Sequence, residues 1–172
     1  MIGLVEIFTG NGKGKTSAAL GVVLRAVGHG LRVHIVYFMK GDYPYGEQAC
    51  LSQLPNTSFS RYGQLDFVDP TNIKPEEKEQ AKQALEAAAE ATHSRRYDLV
   101  VLDEVNVAVA WKLLDLNSVV RLIKQKPNEV ELILTGRYAD LKLIEIADLV
   151  TEMVEVKHPY KDGVQSRKGI DY

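Results

Sequence analysis

The segment Thr9-Gly10-Asn11-Gly12-Lys13-Gly14-Lys15-Thr16 follows the apolar run Gly3–Phe8 and precedes a stretch, Lys15 to about Gly28, that is apolar on most sides. Strand, glycine-rich turn and helix in that order make a phosphate-binding loop, and this restricts the chain to folds that can present one. Glycines at 10, 12 and 14 open backbone angles closed to other residues, so that successive N–H groups turn inward around an anion. The helix adds its positive N-terminal end at the same point. Lys15 supplies a mobile charge for phosphates, and Thr16 a hydroxyl suited to magnesium. The usual pattern G-x-x-x-x-G-K-[ST] has glycine where Thr9 stands, and Gly10 is expected to take over that turn. The ligand expected is a nucleoside triphosphate.

Beyond the loop, strands alternate with helices. Arg32–Phe38 reads as the second strand, followed by a loop with Gly41, Pro44 and Gly46, a short helix over Glu47–Leu54 and a strand over Ser58–Tyr62. Gly63–Lys74 has no period and is expected to be loop. Pro75 opens a long helix to about Arg95, with Glu76 and Glu77 in its first turn and Arg95 and Arg96 near its end, charges matched to the helix dipole. Ala81, Ala84, Leu85, Ala88 and Thr92 form its inner stripe. Asp98–Asp103 is a strand, Val105–Leu114 and Leu116–Lys124 are helical, Val130–Thr135 is a strand, Leu141–Ala147 a short helix and Leu149–Val156 the last strand. Such alternation gives an α/β fold, a mainly parallel sheet covered by helices with ligands at the C-terminal strand ends.

Composition narrows the class. A length of 172 residues suits one domain with a sizeable core. With 21 basic and 23 acidic residues and a net charge of -2, no overall field favours nucleic acid or an anionic membrane. The single cysteine, Cys50, excludes an internal disulfide and multi-cysteine zinc sites. No 18-residue apolar span is present, and the chain enters a strand directly, leaving no room for a signal peptide. A cytoplasmic protein is expected.

The strand Leu99–Asp103 carries the second motif, an apolar run ending in Asp103 and Glu104. Downstream of a phosphate loop this is the form of a strand that delivers acids beside the phosphates, so Asp103 or Glu104 would hold magnesium, directly or through water, opposite Thr16. Two adjacent acids also occur in hydrolytic ATPases, and spacing alone does not separate hydrolysis from another transfer.

Over nearly its whole length the chain resembles the P-loop type of ATP:corrinoid adenosyltransferase. The resemblance rests on Thr9–Thr16 (TGNGKGKT, with threonine in the first glycine position), Arg25–Gly30 (RAVGHG), Lys40-Gly41 with Gly46-Glu47, Asp98–Asn106 (DLVVLDEVN), Leu134–Arg137 (LTGR), Ile146–Glu152 (IADLVTE) and the tail Val156–Tyr172. It implies a P-loop NTPase (RecA-like) three-layer sandwich and a reaction in which cobalt(I) of a corrinoid attacks the 5′ carbon of ATP, forming a Co–C bond and releasing triphosphate. ATP is then the cosubstrate, bound in reverse along the loop, with Mg2+ or Mn2+ beside it. Cobalt(I) is itself the nucleophile, so no protein base is required. The backbone of Gly10, Asn11, Gly12, Lys13 and Gly14, with Lys15 and a metal held by Thr16 with Glu104 or Asp103, would stabilise the leaving triphosphate. The resemblance further implies a homodimer and a flavoprotein electron donor. Some relatives carry an N-terminal extension that covers a partner's site; this chain starts at its first strand, so a more open site or a lid from elsewhere is expected.

Other residues divide between site and scaffold. Relatives place an aromatic pair on the corrinoid's lower face in a loop corresponding to about 63–69; here the segment reads GQLDFVD, Phe67 is its one aromatic, and the usual tryptophan is absent. Phe67 is a corrinoid contact or a core residue. Arg137 is expected at a strand end near the phosphate loop, contacting triphosphate or corrinoid or ordering the loop, and Lys40 and Glu47 share that ambiguity. Trp111 is expected in the core or an interface. None of the four histidines has ligand spacing; His158 is expected in a hydrogen-bonding role, because an axial imidazole would oppose cobalt reduction, and His29 at a helix C-terminus. The tail 157–172 is expected to be an ordered flap over the site. Two alternatives remain: an ATPase or small-molecule kinase, and an ATP-dependent corrinoid carrier.

Overall fold

Six short runs supply the strands of one sheet. The structure is a computed structural model that describes residues 2–64 and 66–172. Strands β1 (Val5–Thr9), β2 (Val33–Tyr37), β3 (Thr57–Arg61), β4 (Leu99–Asp103), β5 (Glu131–Thr135) and β6 (Leu149–Glu152) lie in the order β3-β2-β4-β5-β1-β6. Every pairing is parallel. All strands therefore point their C-terminal ends to one edge, and the loops there form a single surface.

Alternation within β4 shows why the sheet needs cover on both faces. Leu99 and Val101 join Val33, Ile35, Ile133 and, from helix α1 (Lys15–Gly28), Ala19, Val23 and Val27. Val100 and Leu102 turn the other way, to Val36, Leu132, Leu134 and the alanine stripe Ala81, Ala84, Ala88 and Ala91. That stripe belongs to α3 (Pro75–His93); α2 (Gly46–Leu51) lies between β2 and β3 in the chain. The small side chains let α3 pack close to the sheet. Helices α4 (Val105–Ala110), α5 (Leu116–Gln125) and α6 (Leu141–Ile146) complete the second layer, through Val105, Val119, Leu122 and Leu143. The result is the expected three-layer α/β sandwich, with a sheet wholly rather than mainly parallel.

Among the elements that end early, α2 stops at Leu51 instead of Leu54, and two others bear on the site. β6 stops at Glu152 instead of Val156, because the Met153 N–H donates to Thr9 O at 2.8 Å and the Met153 carbonyl turns to accept from Gly12 N–H at 2.6 Å. α4 stops at Ala110 instead of Leu114, because Lys112 takes a left-handed backbone (φ 60) and the Leu113 and Leu114 amides fold back to Ala108 O. Both early endings lie at the C-terminal edge of the sheet.

Candidate active site

The phosphate loop connects β1 to α1. Gly10 (φ 94) and Gly14 (φ 115) take left-handed conformations, so Gly10 does make the turn that Thr9 cannot. Thr9 is buried, and its Oγ1 accepts from Ala139 N–H at 3.2 Å, joining the loop to the segment after β5. Gly12 is glycine for another reason: a Cβ there would lie 2.7 Å from the Met153 carbonyl oxygen. Its N–H is already given to that carbonyl, so this amide differs from the expectation that the whole 10–14 backbone faces the anion. Lys15 is buried and donates to Gly12 O at 2.6 Å. Burial lowers its pKa, opposed by the nearby Glu104 carboxyl.

Asp103 is the centre of the polar network. Only 1% exposed, it accepts from Thr16 Oγ1 (2.9 Å) and Thr135 Oγ1 (2.7 Å) on one oxygen and from Lys40 Nζ (2.6 Å) on the other. β4 lies between β2 and β5, which brings Lys40, just past β2, and Thr135, the last residue of β5, to its two sides. Met39 (φ 57) and a bond from Lys40 N–H to Tyr62 O (3.0 Å) turn the lysine inward. Its ammonium also stands 4.9 Å from the Tyr45 ring centre. Burial alone would lower its pKa, but Asp103 and then Glu104 outweigh that and hold it above the ordinary lysine value. Lys40 is thus a member of the site, where its sequence position had left it ambiguous; Thr135 was not foreseen.

Glu104 takes a left-handed backbone (φ 66) as the residue before α4, with its N–H on Thr135 Oγ1 at 3.0 Å. Gly136 (φ 125) leaves room for its carboxylate, since a Cβ there would come within 3.1 Å of Glu104 Oε2. Burial first, and Asp103 second, raise the Glu104 pKa. Asn106 ties α4 to the same turn, donating to Gly136 O at 3.3 Å. Among the described residues no three His, Cys, Asp or Glu side chains converge as a metal cage. Thr16, Asp103 and Glu104 instead offer the few hard oxygens that suit Mg2+, which keeps its waters and takes further oxygens from phosphates.

A cavity of about 540 Å3 opens above these groups, a size suited to a small-molecule substrate. Gly12, Lys13, Gly14, Lys15, Thr16, Glu104 and Arg137 line its polar end; Met39, Phe67, Val68, Val107, Trp111, Tyr138 and Tyr160 line its apolar side. Gly10 and Asn11 shape the loop without lining the cavity, and Asp103 lies behind Thr16. Phe67 is 86% exposed, which excludes the core alternative, and Trp111 is half-buried on the cavity wall instead of in the core. Glu47, in α2, is outside the lining.

The tail reaches this cavity through His158, Pro159, Tyr160, Val164, Gln165, Ser166, Arg167 and Asp171. Lys13 Nζ donates to Ile170 O at 2.8 Å and pairs with Asp171, which Arg167 also holds. Tyr172 packs edge-on against Tyr43 at 5.5 Å. His158 accepts from Tyr160 N–H at 3.2 Å and so opens the short 3-10 turn Pro159–Asp162, while His29 caps α1. His34 bonds Ser58 and Ser60, and His93 lies between Ala89 O and Gln125 O.

The family model described as ATP:corrinoid adenosyltransferase BtuR/CobO/CobP matches residues 1–172. The chain belongs to this family. It is 36% identical over 170 residues to the corrinoid adenosyltransferase of Escherichia coli (strain K12), covering 99% of this chain and 86% of that one. It is 38% identical over 171 residues to that of Pseudomonas aeruginosa (99% and 84% covered). A Sinorhizobium corrinoid adenosyltransferase is 36% identical over 173 residues (99% and 80% covered). No described helix is long and apolar enough to cross a membrane.

Proposed function

We propose that this protein transfers the 5′-deoxyadenosyl group of ATP to the cobalt(I) of a corrinoid, in adenosylcobalamin biosynthesis or salvage. The observation that carries the reading is one cavity with two unlike sets of lining residues, a phosphate loop backed by buried acids and a group of aromatic and aliphatic side chains suited to the apolar face of a macrocycle. In the reaction the cobalt(I) electron pair forms the Co–C bond, the C5′–O bond breaks, and triphosphate leaves with that bonding pair. Cobalt ends as cobalt(III).

What the chain must do is align C5′ with the cobalt and stabilise the charge gathering on triphosphate. Lys15, Lys13, the amides of the loop and the N-terminal end of α1 supply positive character there, and Arg137 adds another cation on the cavity wall. Thr16, with Asp103 or Glu104, would hold Mg2+, which supplies further charge neutralisation when bound. The apolar side, including Phe67, would exclude water and axial donors from the reduced corrinoid. Residues 157–172 act as a flap over this site. We further propose a cytoplasmic homodimer that receives its electrons from a flavoprotein; the family resemblance supports this.

The test is anaerobic incubation with ATP, Mg2+ and chemically reduced cob(I)alamin. Light-sensitive adenosylcobalamin with an equal amount of triphosphate is expected. ADP and phosphate with an unchanged corrinoid would instead mean hydrolysis or phosphoryl transfer.

A further inference from the structure

A second cleft, of about 360 Å3, is lined by Pro70, Thr71, Ile73, Lys78, Ala110, Trp111 and Lys112. It shares Trp111 with the substrate cavity, and the same two walls border both. The 66–73 segment gives Phe67 and Val68 to the cavity and Pro70, Thr71 and Ile73 to the cleft. The region of α4 gives Val107 to the cavity and Ala110 and Lys112 to the cleft. The two spaces are therefore neighbours that share the Trp111 side chain as a wall. Lys78 comes from the first turns of α3; Lys112 is carried outward by the left-handed turn that ends α4. No carboxylate lines the cleft, and neither lysine has an ion-pair partner among the described residues.

Corrinoid chemistry gives this cleft a use. Cobalt(I) keeps no axial base, so a complete corrinoid that reacts must release its nucleotide loop from the metal, and that loop carries a phosphodiester of one negative charge. Shorter corrinoids have no such group. We infer that the cleft bounded by Trp111, Lys78 and Lys112 receives the phosphodiester of the displaced nucleotide loop, so that the protein favours complete corrinoids over those lacking the loop. The inference rests on the adenosyl-transfer reading of the main cavity. The two ammonium groups provide donors for phosphate oxygens at a solvent-facing position, where attraction is modest and screened by salt.

The experiment compares cob(I)alamin with cob(I)inamide, which lacks the nucleotide loop, in the wild type and in the double variant K78Q/K112Q. In the variant the ratio of KM for cobalamin to KM for cobinamide should rise about 3- to 10-fold at low ionic strength, and the rise should shrink in 0.5 M salt (about 4 Å screening length). K78E/K112E should raise it further. An unchanged ratio, or an equal KM change on both substrates, would overturn the inference while leaving the transfer reaction in place. Failure of the wild type to adenosylate either corrinoid would remove the transfer reading itself, and the inference with it.

Discussion

Lys40 Nζ lies 2.6 Å from one oxygen of Asp103 while Thr16 Oγ1 lies 2.9 Å from the other, so the carboxylate expected near magnesium is neutralised by an internal cation. The pair is well shielded, with side-chain exposures of 13% and 1%. Removing one partner of such a pair leaves an uncompensated buried charge, at a cost of about 3 kcal/mol. Lys40→Met should therefore lower stability in urea by roughly that amount. Asp103 would then be left to attract a metal, so millimolar Mg2+ should raise the melting temperature of the variant more than that of the wild type. Equal Mg2+ responses would show that Lys40 does not shield the acid.

Gly12 and Gly14 are glycine for different reasons, and substitutions should separate them. Alanine at 12 meets two backbone oxygens, of Met153 at 2.7 Å and Val154 at 2.9 Å, neither of which can move without displacing the end of β6. Gly12→Ala should cost about 1–3 kcal/mol by overpacking and weaken ATP binding as well. Gly14→Ala meets no atom within 4 Å but requires φ 115, a strain of about 1–3 kcal/mol. Gly21, inside α1 with open space around its Cβ position, is the control: Gly21→Ala should stabilise by about 0.5–1 kcal/mol. Denaturant titrations of the three variants check the order.

How far sequence reached is visible in this same region. β1, the loop and α1 are contiguous, so their glycines, Lys15 and Thr16 declare themselves through local pattern, as does the apolar run that ends in Asp103. What local pattern leaves open or does not offer is held by long-range contact. Lys40 and Thr135 reach Asp103 only because the sheet places β2 and β5 on either side of β4, an order no local period encodes. Gly12 has its reason in Met153, which comes 141 positions later in the chain. Trp111 reads as core or interface because an apolar helix continues through it on pattern alone; the left-handed Lys112 ends that helix and leaves the indole at the cavity.

Lys13 couples the phosphate loop to the tail through Asp171 and the Ile170 carbonyl. The Lys13 ammonium, and next the backbone and side chain of Arg167, hold the Asp171 carboxyl well below the usual carboxylate range. If these contacts keep residues 157–172 over the cavity, Asp171→Asn should speed proteolysis of the tail and raise the dissociation rate of ATP, while leaving far-ultraviolet circular dichroism unchanged. Removal of residues 157–172 should do the same more strongly. A truncated chain that binds ATP and corrinoid as well as the full chain would show that the flap has no part in retention.

Away from the site, Glu6 on β1 is hydrogen-bonded to Glu131 on the adjacent β5. Burial, then this hydrogen bond and the repulsion from Glu131, push its pKa up from 4.5 to about 7. The native state thus holds the proton more tightly than the unfolded chain. Stability from this group is complete below pH 4.5 and declines as pH rises toward 7, after which no further loss follows. Because much of the side chain remains solvated, the decline should be about 1 kcal/mol, well short of the full linkage value. Glu6→Gln keeps a donor without the charge, and should remove that part of the pH slope while stabilising the protein at pH 8. Urea titrations at pH 5 and pH 8 on both proteins decide it: parallel losses in wild type and variant would place the pH dependence elsewhere.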